Sequence, residues 1–188
     1  MPNRPASLFS AGPLALIGLI AAVALTRLIP HPPNFSPVEA MALFGGAYLA
    51  KRSWAVLVPL IALFISDLAL GLLMGGEYFQ YFVSAGFLLV YLTIAVLSVL
   101  GFGLRGKVSV ARVAGYGVAG SILFFLTTNF GVWLGSAFYP QTASGLMAAY
   151  AAGIPFLQNG ILGTLFYSAV LFGSYEVLKQ RIPELAQN

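Results

Sequence analysis

Between residues 12 and 177 the chain is a succession of apolar runs broken by short polar clusters. About 20 apolar residues carry a helix across about 30 Å of hydrocarbon. Runs of roughly that length cover 12–29, 54–74, 79–102, 111–133 and 154–177, and a shorter run covers 37–50. The breaks carry the residues that end helices. Pro30-His31-Pro32-Pro33-Asn34 follows the first run, Gly75-Gly76-Glu77 the third, Arg105-Gly106-Lys107 the fourth and Tyr139-Pro140-Gln141-Thr142 the fifth. Residues 145–152 are apolar but too few to span, which predicts an interfacial or re-entrant turn. The expected fold is an all-α integral membrane protein, a single six-helix transmembrane domain over 1–188.

Composition excludes the soluble alternative. Hydrophobic residues make up 60% of the chain and charged ones 7%, against about 25% charged in a soluble domain. Eight of the nine basic residues then fall on one side of the membrane: Arg4, Lys51, Arg52, Arg105, Lys107, Arg112, Lys179 and Arg181, with Arg27 opposite. That bias predicts both termini in the cytoplasm. Arg4, an apolar run and Ala22-Val23-Ala24 also fit a signal peptide, although the length of the run favours a retained span. The basic residues are scattered among loops and ends, which speaks for topology rather than nucleic-acid binding. No cysteine is present, and His31 is the single histidine. Disulfides, thiolate chemistry and multi-histidine metal sites are thereby excluded, and no metal or cofactor is expected.

Polar side chains inside spans are costly and mark interior or cavity positions. Here they gather toward the outer side: Asp67, Gln80, Thr127, Thr128, Asn129, Gln158 and Asn159. The aromatic residues Tyr78, Phe82 and Trp133 map to the same side, as do His31 and Asn34 in the proline-rich loop. Apolar walls with a few orienting polar groups describe a small-molecule pocket. An interfacial aromatic belt is the plainer reading of any single ring. Asp67 has two readings, a ligand contact or a structural carboxyl paired with Arg27, His31 or Asn129. Proton coupling ranks below both, since no second buried acid is evident; Glu39 falls near the outer end of the short run. His31 alone reads more readily as a surface residue than as a ligand contact.

Ala11, Ala15, Gly18 and Ala22 share one face of the first span, and Ala111, Gly115 and Ala119 one face of the fifth. Such stripes let helices approach closely, within the bundle or against a partner. The chain carries no phosphate-binding loop, nucleophile elbow or His-Glu-x-x-His helix. An enzyme is therefore not expected, and energy for any transport must come from a partner or a gradient.

The segment from Arg27 to Tyr48, Ser66-Asp67-Leu68, Thr127-Thr128-Asn129-Phe130-Gly131-Val132-Trp133, Tyr139-Pro140 and Ile154-Pro155-Phe156 resemble an uncharacterised bacterial membrane family grouped with transport proteins. More distantly, the layout resembles the S-component of energy-coupling factor (ECF) vitamin transporters. That resemblance implies an outward-facing pocket for a vitamin-like substrate. It also implies a small-residue stripe, here Ala11, Ala15, Gly18 and Ala22, that docks a coupling subunit with its ATPases. Solitary cobalamin-transporting members are faintly similar through Thr26-Arg27, His31 and Asp67. Their cobalt-contacting cysteine is missing here, and Gln80 lies near its place. The expectation is an S-component-like importer of the bacterial inner membrane. In it Asp67, Gln80, Asn129 and Asn159 orient the ligand and Tyr78, Phe82 and Trp133 cover it. The alternatives are a gradient-driven secondary transporter and a structural or assembly subunit without a ligand.

Overall fold

The computed structural model describes residues 11–82, 84–135, 137–182 and 185, and the side chains of all these except 11, 77, 81 and 85. Among them seven α-helices follow one another: α1 (Ala11–Leu25), α2 (Val38–Tyr48), α3 (Arg52–Met74), α4 (Gly76–Phe82), α5 (Ala85–Leu100), α6 (Val110–Gly135) and α7 (Ala143–Arg181). No strand occurs among the described residues. Helices α3, α6, α7, and α5 with its 3-10 extension are long and apolar enough to cross a membrane, and α1 with its following turn is a shorter apolar helix. Their outward faces carry exposed Leu57, Ile61, Leu72, Leu88, Val96 and Leu162. Apolar surface on that scale requires lipid rather than water.

Helix α2 departs from the expected short span. It has 11 residues, of which Val38 to Ala47 are buried, and at 1.5 Å per residue it covers about 16 Å, half of a hydrocarbon core. It runs through the centre, packed on by α1, α3, α5, α6 and α7. The proline-rich segment 29–37 leads into it: residues 29–34 are exposed, Phe35 and Ser36 half-buried and Pro37 buried against the bundle. Close approach makes this possible. A Cβ on Gly163 would lie 2.8 Å from the Ser36 amide nitrogen, so α7 admits the segment only at a glycine. A Cβ on Gly101 would lie 2.6 Å from the Leu43 carbonyl oxygen, which sets the α2–α5 crossing.

Two further boundaries differ from expectation. The run 79–102 is divided, because Ser84 caps α5 by accepting a 3.1 Å hydrogen bond from the Phe87 amide. Residues 145–152 form no separate turn but open the 39-residue α7, whose N-terminal Thr142 hydroxyl accepts from Gly145. Pro155 lies inside that helix and leaves one carbonyl of the preceding turn without its donor. At about 58 Å, α7 outreaches the hydrocarbon.

Arg52, Arg105, Arg112 and Lys179 collect at one end of the bundle. Arg105 closes the C-terminus of α2 there, donating to Gly46 (2.8 Å), Leu49 (2.8 Å) and Ala50 (3.3 Å) carbonyls. A cation at that position satisfies the last orphan carbonyls and the helix dipole together. Arg4 and the Ala11 side chain lie outside the described residues. The rest of the α1 stripe faces away from the core: Gly18 and Ala22 are exposed, Ala15 is partly so, and a Cβ on Gly18 would meet nothing within 4 Å.

Candidate functional site

The end opposite the basic cluster is organised around one ion pair. Arg27, in the 3-10 turn after α1, reaches α3 with Nη2 2.6 Å from Asp67 Oδ1; the two side chains are 13% and 4% exposed. Its Nη1 donates to Ser66 Oγ at 2.5 Å and to the Leu63 carbonyl at 3.3 Å. Two tyrosine hydroxyls complete the carboxylate. Tyr78 of α4 donates to Oδ1 at 3.0 Å, and Tyr91 of α5 donates to Oδ2 at 2.7 Å. Burial and the Asp67 carboxylate push the Tyr78 hydroxyl up to about 12, so it stays a donor at neutral pH. The network joins four elements, and each member's charge or hydrogen bond is answered.

Beside the network opens a cavity of about 870 Å³, within the range of small-molecule sites. Leu63, Leu70, Val90, Phe124, Phe125, Val132 and Leu157 wall it, and the segment 27–31 with Asn34 and Ser36 covers it. Its polar lining includes Arg27, His31, Asn34, Glu39, Asp67, Tyr78, Ser121, Thr128, Asn129 and Tyr139. Among these, Asn129 donates to the Phe125 carbonyl (2.9 Å) and Thr128 to that of Phe124 (2.8 Å). A Cβ on Gly153 would come within 2.5 Å of Asn129 Oδ1, so α7 crosses Asn129 at a glycine.

Of the residues expected to form a site, the structure brings Asp67, Tyr78, Asn129, His31 and Asn34 to this cavity. The other four lie elsewhere. Gln80 is exposed on α4. Asn159 donates at 3.0 Å to the Pro33 carbonyl and ties the proline-rich segment to α7. Trp133 Nε1 donates at 2.9 Å to the Pro140 carbonyl, holding the α6–α7 connection. Phe82 packs among Phe64, Tyr78, Phe79 and Phe87. Asp67 lines the cavity, and of the three structural partners the sequence offered it is paired with Arg27.

No second buried acid was expected beside Asp67, yet Glu39, placed by the sequence near the outer end of the short run, is one. It is 4% exposed, in the first turn of α2, and lines the cavity. The available signal was an acidic residue two positions after Pro37 at the head of an apolar run, where the helix dipole favours negative charge. Among the described residues no three His, Asp or Glu side chains converge as a metal site would require.

A second cavity, about 1000 Å³, lies at the basic end along α2, α6 and α7. Of its charged side chains, Lys179 lies 2.6 Å from Glu176, which also accepts from the Tyr48 hydroxyl at 2.9 Å, and Arg105 is spent on the carbonyls that end α2.

A family model covers this whole architecture, matching residues 9–185. The chain belongs to DUF6580, a family of unknown function. No curated protein and no solved structure matches it. The DUF6580 match spans every element that lines the first cavity, and the family description assigns that cavity no activity.

Proposed function

We propose that this DUF6580 protein is a multi-pass transport protein of the bacterial cytoplasmic membrane that binds a small, vitamin-like molecule from its outer face. The observation that carries the reading is the cavity of about 870 Å³, walled by apolar side chains and furnished with a few polar ones. That composition is what orients and buries a small organic ligand. The basic cluster at the opposite end supports a cytoplasmic location for that end by the positive-inside rule. With α2 and segment 29–37 counted as one crossing, the chain passes six times and both termini are cytoplasmic. The reading is S-component-like. The exposed Ala15, Gly18 and Ala22 face of α1 is then the surface for a coupling subunit, and the chain binds and transfers its substrate without chemical change.

Comparative mass spectrometry of the growth medium tests this. Cells expressing the chain with its genomic neighbours should deplete one small molecule faster than cells carrying Gly160→Leu, which fills the cavity floor. Identical depletion profiles would contradict transport through this cavity.

A further inference from the structure

The polar groups around the first cavity are not equivalent. Arg27 and Asp67 answer each other's charge, and two tyrosine hydroxyls occupy the carboxylate further. The Asn129 and Thr128 donors are spent on backbone carbonyls. Glu39 differs. It is 4% exposed and lines the cavity, yet among the described residues no cation and no side-chain donor reaches its carboxyl group. An ionised carboxyl offers about four acceptor positions, and burying it without a counter-charge is costly.

The position of the Glu39 carboxyl narrows what completes it. A Cβ built on Gly160 would lie 3.8 Å from Glu39 Oε1 and 3.8 Å from the Asn34 carbonyl oxygen. Two acceptors therefore converge over a residue with no side chain, in a corner open to the cavity. Asn34 is held there in the left-handed region, at φ 63°, and among the described residues no donor is found for its carbonyl. A carbonyl oxygen and a carboxyl group that a bound cation would hold in its ionised form suit a group with several N–H donors and a positive charge. The cavity's guanidinium, Arg27, is consumed by Asp67, so an anionic ligand has no equivalent partner among the described residues.

We propose that the corner formed by Glu39, the Asn34 carbonyl and Gly160 recognises the protonated nitrogen of an organic cation, an ammonium on an apolar or aromatic body. The body lies against Phe124, Phe125 and Leu157. The inference deepens the small-molecule reading of the same cavity and rests on it.

Three indoles of similar shape test it on the full chain in a non-ionic detergent: tryptamine (cation), 3-ethylindole (neutral) and indole-3-propionate (anion). Binding is read by thermal shift and calorimetry. Tryptamine should bind best, and its affinity should fall about ten- to a hundredfold in Glu39→Gln, the loss of one charge-assisted hydrogen bond. Gly160→Leu keeps the carboxyl but fills the corner, and should lose tryptamine even if Glu39→Gln folds poorly. Binding without preference for the cation, or a preference that survives both substitutions, overturns the assignment and leaves the cavity reading standing. Failure of all three probes to bind overturns both.

Discussion

Asp67→Asn separates a structural carboxyl from a ligand-binding one. The substitution keeps volume and removes the negative charge. Arg27 Nη2 then loses its 2.6 Å partner while its side chain remains 13% exposed, and the Tyr91 and Tyr78 hydroxyls share one carbonyl oxygen where they had two carboxylate oxygens. Breaking a buried ion pair from one side typically costs about 3–5 kcal/mol, because the surviving charge stays buried without compensation. The remaining Arg27 bonds to Ser66 and the Leu63 carbonyl soften this and argue for the lower half of that range. Unfolding in mixed micelles, followed by Trp54 and Trp133 fluorescence, measures the loss. The double variant Arg27→Met/Asp67→Leu should recover most of it, since no lone charge remains. Wild-type stability in Asp67→Asn, or strict additivity of Arg27→Met and Asp67→Leu, would refute the claim that the pair holds α1 to α3.

Three further tests probe the frame. Gly101→Val should destabilise by several kcal/mol, since even its Cβ would sit 2.6 Å from the Leu43 carbonyl and backbone must move; denaturant midpoints check this. Gly18→Leu should leave stability within about 0.5 kcal/mol, as surface substitutions do, because its Cβ meets nothing within 4 Å. Uptake should nevertheless fall if α1 docks a coupling subunit, and normal uptake would remove that docking face. Cysteines at Ser36 and Ser144 should react with an impermeant thiol reagent in intact cells, while cysteines at Ser53 and Ser109 should not; labelling at 109 from outside would invert or break the six-pass topology.

Much of the fold was legible because hydrophobic length is a one-dimensional property. The third, fifth and sixth runs became α3, α6 and α7 with ends moved outward by a few residues, except where α7 absorbed 145–152. That turn was misread because residues 145–152 are too few to span by themselves, yet a helix longer than the hydrocarbon absorbs them and carries Pro155 where one unpaired carbonyl is tolerated. The division before α5 was written in Ser84, an N-cap residue, but an apolar run on both sides masked it. The buried half-helix α2 could not be foreseen, since a short apolar run does not say whether lipid or protein surrounds it. Glycines at 46, 101 and 163, which let backbone approach backbone, carry that information only once the partners are known.

The site divides along similar lines. Depth placed Asp67, Tyr78 and Asn129 on a common side, and the cavity joins them. Depth could not give azimuth, so Gln80, Asn159, Trp133 and Phe82 came with them although Gln80 is exposed, Asn159 and Trp133 bind loop carbonyls and Phe82 packs among other rings. Glu39 was not counted as a buried acid for a different reason. Its position near a helix start reads as surface, and only the packing of five helices around α2 buries it.

Native mass spectrometry of the chain released from gently extracted membranes tests most directly whether the cavity binds a small organic molecule. The expected spectrum holds a species carrying one small-molecule adduct, absent from Gly160→Leu prepared in parallel. A spectrum of bare chain and bound lipid alone, the same for both proteins, would contradict binding there.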